Sequence, residues 1–508
     1  MEEEVKSKRG PVPIHPPLLA TVPVLAVVTS NINLVPMQQT WRPLGIVVLA
    51  VLAAWGLLSL AFRSLERGAM GASAVVLATI LHAILIHTPS FDVSGAASII
   101  AWASMALVLG VILIKTCWTK ALNIVALMTF LVASFQVAAG YQGGRASTIR
   151  SASNSALDGG SKPDVYFIVL DAYASSQTMS RVFQRSNIGF LDALEKNGFK
   201  LVQNSRSNYV QTELSLAATL NMNHMVDLLK DVDEREIADR QAFGKLIDQA
   251  KVVEEFRDHG YQVVSVTSRF PPVRFDSADV RLDSYGGMTM IEGALIQMTP
   301  FGQQKAVRDT MFSQHRQTIQ GVFANLRRLG GRAARPRLIL AHVLSPHPPF
   351  VFGPNGESLR PPGGFGFWDG SDFMLNRGTR ENYLRGYSDQ ATYIEGQVIQ
   401  TVDEILASSK EKPIIIIQSD HGSKLGLEQN SLKDTDIQEC FTTLNAILAP
   451  DAIREKLYPG LTPVNTFRVI LPELLGGEKE LVPDRSYWSP YGDADDFTDV
   501  TDRIAPTD

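Results

Sequence analysis

The stretch PDVYFIVLDAY, from Pro163 to Tyr173, decides the fold of this chain. Its apolar and aromatic residues, Val165 to Leu170, follow one another without a break and lead directly into Asp171. A short run of this kind, opened by a proline and closed by a polar loop, predicts a strand buried on both faces, as in a parallel sheet. In open α/β sheets ligands bind beyond the carboxyl ends of the strands, so we expect chemistry at Asp171.

A second run of the same kind lies late in the chain, where PIIIIQ (413–418) is followed by SDHG (419–422). If both strands belong to one parallel sheet, Asp171, Asp420 and His421 meet at the same edge. Asp420 and His421 are neighbours, so a turn, for which the following glycine is suited, must bring both to one side. Two carboxylates and one imidazole suit one divalent metal ion, Zn or Mn first, with Mg or Ca as alternatives. An Asp-His-Gly tripeptide alone would more often be a plain strand end, but the matching strand end at Asp171 favours the metal.

Strand-like and helix-like segments alternate through the rest of this region. We predict strands at 199–203, 261–267, 337–343 and 441–448, and helices at 187–197, from about 212, at 241–259, 303–329 and 379–409. This alternation predicts an α/β fold with a doubly wound, mainly parallel sheet covered by helices on both faces. The domain is expected to span 163–508 and to follow a Gly- and Ser-rich linker, 141–162.

Residues 1–140 have the composition of a membrane domain. Apolar blocks lie at roughly 18–36, 44–62, 70–87, 97–114 and 121–140, each near the ~20 residues needed to cross a bilayer. These blocks predict a bundle of about five transmembrane helices. The first block contains Pro23, Asn31 and Asn33, and a cleaved signal peptide is its alternative interpretation. The acidic start of the chain and the lack of a small-residue cleavage site favour a span.

The basic residues of the links predict the orientation of this bundle. With the N-terminus inside, the outer loops hold Arg42 alone, and the cytoplasmic segments hold Lys6, Lys8, Arg9, Arg63, Arg67, Lys115 and Lys120. An odd number of spans then places residues after 140 on the extracytoplasmic side of the cell's inner (plasma) membrane. Cys117 and Cys440 fall on opposite sides and cannot pair.

Two further features of the sequence bear on binding. His82 and His87 lie in or near the third apolar block, where ionisable groups are candidates for function; an interfacial position is the interpretation we favour. The net charge of −5 over 508 residues gives no indication of nucleic-acid binding.

The segment NYVQTELSLAATLN, residues 208–221, contains a candidate nucleophile. Thr212 precedes Glu213 and a helix-period set of apolar residues, so the plainer interpretation is that Thr212 caps a helix. A hydroxyl at a helix N-terminus beside a divalent cation is also activated as a nucleophile, and both roles are compatible. Ser215 is the nearest rival, one turn further on, where it is expected to pack within the helix.

A second candidate lies in the HPPF loop, 347–350, which follows the 337–343 strand. Prolines on both sides of His347 stiffen the backbone, as expected for a loop that fixes a side chain over a site. His342 lies inside the strand and is expected to be a hydrogen-bonded histidine of the core.

Taken in chain order, four motifs resemble the alkaline phosphatase/sulfatase superfamily: the apolar strand that ends at Asp171, Thr212 at a helix start, the HPPF loop 347–350 and the SDHG segment 419–422. Within it, several spans followed by an extracytoplasmic domain are similar to lipoteichoic acid synthases and lipid phosphoethanolamine transferases. The resemblance implies a metal held by Asp171, Thr212, Asp420 and His421. It also implies that Thr212 attacks phosphorus to form a covalent phospho-enzyme, and that His347 contacts the substrate phosphate.

The resemblance further implies a membrane enzyme that transfers a phospho-alcohol group, or hydrolyses a phosphodiester, on a membrane lipid or envelope glycan. A sulfuric ester hydrolase is a less favoured alternative, because neither Cys117 nor Cys440 opens the C/S-x-P-x-R motif of formylglycine sulfatases. No histidine follows His421, unlike the three-histidine, two-metal site of alkaline phosphatases, and Asp171 stands where the transferases have Glu. A non-catalytic membrane protein of this fold is the alternative from another class.

Overall fold

The computed structural model describes residues 11–30, 37, 40–86, 95–116, 118–143, 162–268, 270–284, 287–302, 304–331, 333–362, 365–376 and 378–506. The chain forms two compact units. Unit 1 comprises Met1–Ser151 and Gly287–Thr310, and unit 2 comprises Ala152–Gly286 and Met311–Asp508. The sequence-based domain limits differ in one respect, because they assign 287–310 to the 163–508 domain.

The helices and strands are numbered in chain order. The helices are α1 His15–Ser30, α2 Trp41–Phe62, α3 Leu65–Ile86, α4 Gly95–Thr116, α5 Thr119–Gly143, α6 Ser176–Arg181, α7 Ile188–Lys196, α8 Thr212–Asn221, α9 Met225–Leu228, α10 Glu234–Ala238, α11 Gln241–Asp248, α12 Lys251–Asp258, α13 Met290–Met298, α14 Lys305–Arg328, α15 Gly370–Asn376, α16 Arg380–Ser408, α17 Ile437–Phe441, α18 Asp451–Arg454 and α19 Pro463–Leu475. The strands are β1 Val165–Leu170, β2 Lys200–Leu201, β3 Gln262–Thr267, β4 Val280–Asp283, β5 Arg337–Val343, β6 Ile414–Gln418, β7 Asn445–Leu448, β8 Tyr487–Trp488 and β9 Thr498–Asp499.

Unit 1 contains the apolar helices. Four of them, α2 to α5, are long and apolar enough to cross a membrane. Helix α1 is shorter, with 16 residues, which correspond to roughly 24 Å at 1.5 Å per residue. The predicted first span runs on to residue 36, but 31–36 lie outside the described residues. The structure therefore bears out four of the predicted blocks by length and shows a shorter helix in the first.

The central sheet of unit 2 has the strand order β2-β7-β6-β1-β5-β3-β4. Strand β1 pairs in parallel with both β5 and β6, and β7 runs antiparallel to β6. Helices α8, α11, α12 and α19 cover one face, and α7, α14 and α16 cover the other. Because successive strand residues alternate between faces, all of β1 is buried. The predicted α/β fold with a mainly parallel sheet is confirmed.

Two predicted elements differ in the structure. The predicted 241–259 helix is two helices, α11 and α12, because Ala250 adopts an extended backbone between them and the Lys251 N–H donates to Asn221 Oδ1. The predicted 441–448 strand is shorter in the structure, because Phe441 is the last residue of α17 and β7 begins only at Asn445. Asp436 caps α17 by accepting from the Glu439 N–H. Both breaks are supported by hydrogen bonds that apolar periodicity does not reveal.

Candidate active site

Asp171 follows the last residue of β1 and is fully buried. Neither of its carboxylate oxygens has a hydrogen-bond partner among the described residues. The next residue, Ala172, has a φ of 67°, which lies in the left-handed region that residues other than glycine rarely adopt. Tyr387 of α16 supports this turn, since its hydroxyl donates to Ala172 O at 2.7 Å and accepts from the Ala174 N–H at 3.0 Å.

Asp420 and His421 follow β6, the strand beside β1. Asp420 Oδ1 accepts from the Ala172 N–H at 3.2 Å, whereas its Oδ2 is buried and forms no hydrogen bond with any residue that the structure describes. Gly422 allows the chain to pass close to the backbone of α17, because a Cβ at this position would clash with Glu439 O. The structure thus brings both side chains to the Asp171 side, as the sequence predicts.

The hydrogen bonds of His421 define its tautomer. Its Nδ1 lies 2.9 Å from Gly422 O, a carbonyl that can only accept, so Nδ1 carries the hydrogen. Nε2 then carries the lone pair, and it lies 3.2 Å from Asp420 Oδ2 and 3.5 Å from Asp171 Oδ1. Burial lowers the pKa of His421, which favours the neutral ring that a metal requires.

Thr212 is the first residue of α8, and its Oγ1 lies 3.1 Å from His421 Nε2. The interpretation of Thr212 as the helix cap is wrong, because the N-cap is Gln211, which has an extended backbone. The hydroxyl of Thr212 is therefore directed to the site. Ser215 is buried one turn further on and donates to Asp420 O at 2.6 Å, so it supports the backbone under the site.

These residues fit a divalent cation. Ligand atoms of Asp171, Asp420 and His421 all lie within 4.8 Å of one another, and the three residues are buried. Buried carboxylate oxygens without hydrogen bonds are costly unless a cation pairs with them. Burial raises the pKa of Asp171, but the neighbouring histidines outweigh it and hold the pKa below its ordinary value, so the carboxylate stays ionised.

His347 lies beside this cluster with both ring nitrogens engaged. Its Nδ1 is 2.6 Å from Pro348 O and its Nε2 is 2.9 Å from Asp369 Oδ2. Both partners are acceptors, so the ring carries two hydrogens and a positive charge. Burial lowers the pKa of His347, but Asp171 and Asp369 outweigh it, and the pKa is raised.

Asp369 also binds Lys424 and Gln429. Its Oδ2 lies 3.0 Å from Lys424 Nζ, and its Oδ1 accepts from Gln429 Nε2 at 2.6 Å. Burial lowers the pKa of Lys424, but Asp369 and Asp171 outweigh it, so the amine stays charged. Two cations, His347 and Lys424, thus share one carboxylate, which leaves an excess positive charge next to the metal ligands.

Sequence reasoning missed Lys424, Asp369 and the role of His342. Lys424 comes three residues after His421, and a charged residue in that loop is a usable signal. Asp369 carries no comparable signal. His342 is buried, as predicted, but its Nε2 lies 3.2 Å from Asp171 Oδ2 while its Nδ1 is 3.0 Å from Ser268 Oγ.

No family model and no curated protein matches the chain. The structure is similar to the C-terminal periplasmic domain of EcEptC from Escherichia coli in complex with Zn, with 14% identity, a TM-score of 0.46, and coverage of 70% of this chain and 98% of that one. It is also similar to a putative sulfatase from Bacteroides thetaiotaomicron, with 15% identity, a TM-score of 0.40, and coverage of 65% and 79%. The integral membrane protein lipooligosaccharide phosphoethanolamine transferase A (EptA) from Neisseria meningitidis matches with 11% identity, a TM-score of 0.38, and coverage of 91% and 94%. Phosphoethanolamine transferases and sulfatases are the classes that the motifs resemble.

Proposed function

We propose that this chain is a membrane-anchored, metal-dependent enzyme that transfers a phospho-alcohol group, or hydrolyses a phosphodiester, through Thr212. The observation that carries the proposal is the position of Thr212 Oγ1, 3.1 Å from His421 Nε2. The same space is bordered by buried carboxylate oxygens of Asp171 and Asp420 that have no hydrogen bond among the described residues. A hydroxyl at a helix N-terminus inside a metal-ligand set is the arrangement expected of an activated nucleophile.

Asp171, Asp420, His421 and Thr212 would hold the ion, for which the mixed oxygen and nitrogen donors favour Zn or Mn. When bound, it supplies Lewis acidity that offsets phosphoryl charge and favours the alkoxide of Thr212. Asp369 holds Lys424 and the His347 ring beside this centre. Their charges support an anionic phosphoryl substrate, because fixed cations stabilise charge that develops on its oxygens.

The chemistry proceeds in two displacements. Thr212 loses its proton to water, and Oγ1 forms a bond to phosphorus while the bond to the leaving alcohol breaks. The leaving alkoxide takes a proton from water, and the phospho-alcohol group remains on Thr212. An acceptor hydroxyl, or water, then attacks the same phosphorus as the bond between phosphorus and Thr212 Oγ1 breaks, and its proton passes, directly or through water, to the released Thr212 oxygen.

A sulfuric ester hydrolase is less well supported by these residues. Formylglycine enzymes place a modified cysteine or serine at the nucleophile position, whereas here the hydroxyl beside His421 belongs to Thr212. A non-catalytic role is also less well supported, because it gives no reason to bury three carboxylate oxygens that form no hydrogen bond with any described residue, at a cost in stability.

The helices of unit 1 support an extracytoplasmic position for the catalytic chain, by which we mean the part of the polypeptide after α5. The basic side chains lie at one end of the helices: Arg63 caps the end of α2, Arg67 lies in the first turn of α3, Lys115 lies in the last turn of α4 and Lys120 lies in the first turn of α5. The inserted segment 287–302 contacts the opposite ends, through Arg42 at the start of α2 and His82 near the end of α3. Because basic ends face the cytoplasm, this segment lies outside, where membrane lipids and envelope glycans are available as substrates.

The test is a mass measurement on the purified full-length protein after brief incubation with bacterial membrane lipids. The proposal expects a phospho-alcohol adduct on the peptide that contains Thr212, formed only with metal present and removed by an acceptor alcohol or water. Parallel assays with an aryl phosphodiester and an aryl sulfate compare the two ester classes. Turnover of the sulfate alone, or an adduct on Ser215, would contradict the proposal.

A further inference from the structure

One segment of the catalytic chain belongs structurally to the membrane unit. The chain leaves unit 2 after β4, forms α13 within unit 1, and returns through α14. Helix α13 has a capping box in which Thr289 and Glu292 bond each other's backbone, so its start is well defined. We call residues 287–302 the anchor segment.

The anchor segment packs into the apolar part of the bundle. Ile291 has 1% of its surface exposed and packs in one cluster with Leu25 and Val28 of α1 and with Ala133 and Val137 of α5. Leu295, one turn further along α13, packs against the same cluster. This face of α13 is therefore covered by two membrane helices. Ile296 lies about 140° around the helix from Ile291, is half-buried, and belongs to none of the described apolar clusters.

Polar contacts connect the anchor segment directly to two further helices, α2 and α3, and through His82 to α4. Arg42 Nε at the start of α2 lies 2.9 Å from Glu292 Oε1. The buried His82 of α3 connects two elements, with Nδ1 3.2 Å from Met298 O and Nε2 2.6 Å from Ser98 Oγ of α4. His82 is thus engaged in structural contacts, whereas His87 lies outside the described residues.

We propose that the anchor segment is a second, non-covalent attachment of the catalytic chain to the membrane bundle, independent of the linker that follows α5. It contacts all five helices of unit 1, because Phe301 also packs edge-on against Trp102 of α4, with ring centroids 6.1 Å apart. Apolar contacts, a charge pair and a buried histidine all contribute. A chain cut in the linker should therefore stay together. This property does not depend on the proposed function, because none of the residues involved belongs to the catalytic site.

The test cuts the full-length protein at a specific protease site placed in the linker, near residue 152, after purification in mild detergent. Size-exclusion chromatography then shows whether the fragments before and after the cut elute together. We expect co-elution for the wild type and at least a tenfold loss of the co-eluting fraction for Ile291→Asp, which puts a charge into the apolar cluster. Ile296→Asp makes the same change on the other side of α13 and should leave co-elution intact.

The charge pair provides a second arm that does not require the apolar cluster to be disturbed. In the cut protein, Arg42→Glu should lower the co-eluting fraction, whereas Arg42→Lys, which keeps the positive charge and leaves the Glu292 capping box untouched, should retain most of it. Arg63→Glu, at the other end of α2, is the matched control and should have no effect. Separation of the wild-type fragments would overturn the proposal, as would equal behaviour of the two isoleucine variants or an equal loss of co-elution in Arg42→Lys and Arg42→Glu.

Discussion

Thr212 allows catalytic and structural roles to be separated, because Gln211 and not Thr212 is the N-cap of α8. We expect Thr212→Ala to lower turnover by a factor on the order of 10⁴ or more, as removal of a nucleophile does. The cost in unfolding free energy should be only about 1 kcal/mol. Thr212→Ser keeps the oxygen and should retain part of the activity. Steady-state kinetics and thermal unfolding of the purified variants measure both effects, and near-normal turnover of Thr212→Ala would show that another group attacks.

Metal content distinguishes the ligands from the nucleophile. Thr212→Ala should still bind the ion, more weakly, because Asp171, Asp420 and His421 remain within 4.8 Å of one another. Asp420→Asn replaces an anionic donor by an amide and should lose the ion. Elemental analysis of the purified proteins gives the ratio of metal to chain. Equal metal content in Asp420→Asn and the wild type would place the ion elsewhere.

Glu439 gives the site loop a pH dependence. Burial raises the pKa of Glu439 to about 7, and its carboxylate accepts from Ser423 Oγ and from the Leu425 N–H, both at 2.8 Å. The folded state then holds a proton that the unfolded state releases above its ordinary pKa of 4.5, so stability falls as pH rises from 4.5 through 7. Relative to Glu439→Gln, the wild type should lose up to about 3 kcal/mol between pH 4.5 and pH 8. Thermal unfolding of both proteins at several pH values measures the difference, and parallel curves would contradict it.

At the scale of single residues, the sequence could predict those that lie at the end of a buried strand. Asp171 comes directly after β1, and Asp420 and His421 follow β6 after Ser419 alone, so strand topology brings them together. Lys424 and Asp369 meet through loops whose path depends on long-range hydrogen bonds, and periodicity carries no information about such loops.

Among the elements, α16 supports the turn that positions the first ligand. Tyr387→Phe removes the hydroxyl that bonds Ala172 O and the Ala174 N–H, and so leaves two buried backbone groups without a partner. We expect a loss of about 1–3 kcal/mol in unfolding free energy and weaker metal binding, because the left-handed turn next to Asp171 loses its support. Tyr383→Phe removes another buried hydroxyl one turn earlier in α16 and is the control. Metal titration and thermal unfolding check both variants; equal affinity in the two would mean that the turn holds its conformation unaided.

The elements also show what periodicity can and cannot predict. Strands β1 and β6 are short, buried on both faces, and apolar or aromatic apart from Gln418 at the end of β6, so the sequence pattern alone is sufficient to place them. The break between α11 and α12 could not be placed, because the bond that supports it comes from Asn221, which precedes Lys251 by 30 residues.

For the whole molecule, the orientation depends on whether α1 crosses the membrane. Its first residue, His15, donates its N–H to Asn123 Oδ1 near the start of α5, and Val28 packs with Val137 further along the same helix. Helix α1 thus runs beside α5 over the stretch from Asn123 to Val137, roughly 21 Å at 1.5 Å per residue. This supports α1 as a fifth crossing despite its length, and an odd number of crossings agrees with the positions of the basic residues.

Reporter fusions test this arrangement directly. A reporter that is active only outside the cytoplasm, fused to chains truncated after residue 40, 92 or 160, should be active; fused after residue 64 or 117, it should be inactive. The fusion after residue 40 is the decisive one, because only α1 can export it. A cytoplasmic reporter at the same five positions should give the inverse pattern and controls for expression. Activity of the cytoplasmic reporter after residue 160 would place unit 2 inside the cell and would contradict a function on envelope substrates. If the cytoplasmic reporter is active after residue 40 but inactive after residue 160, α1 does not cross the membrane without the other helices.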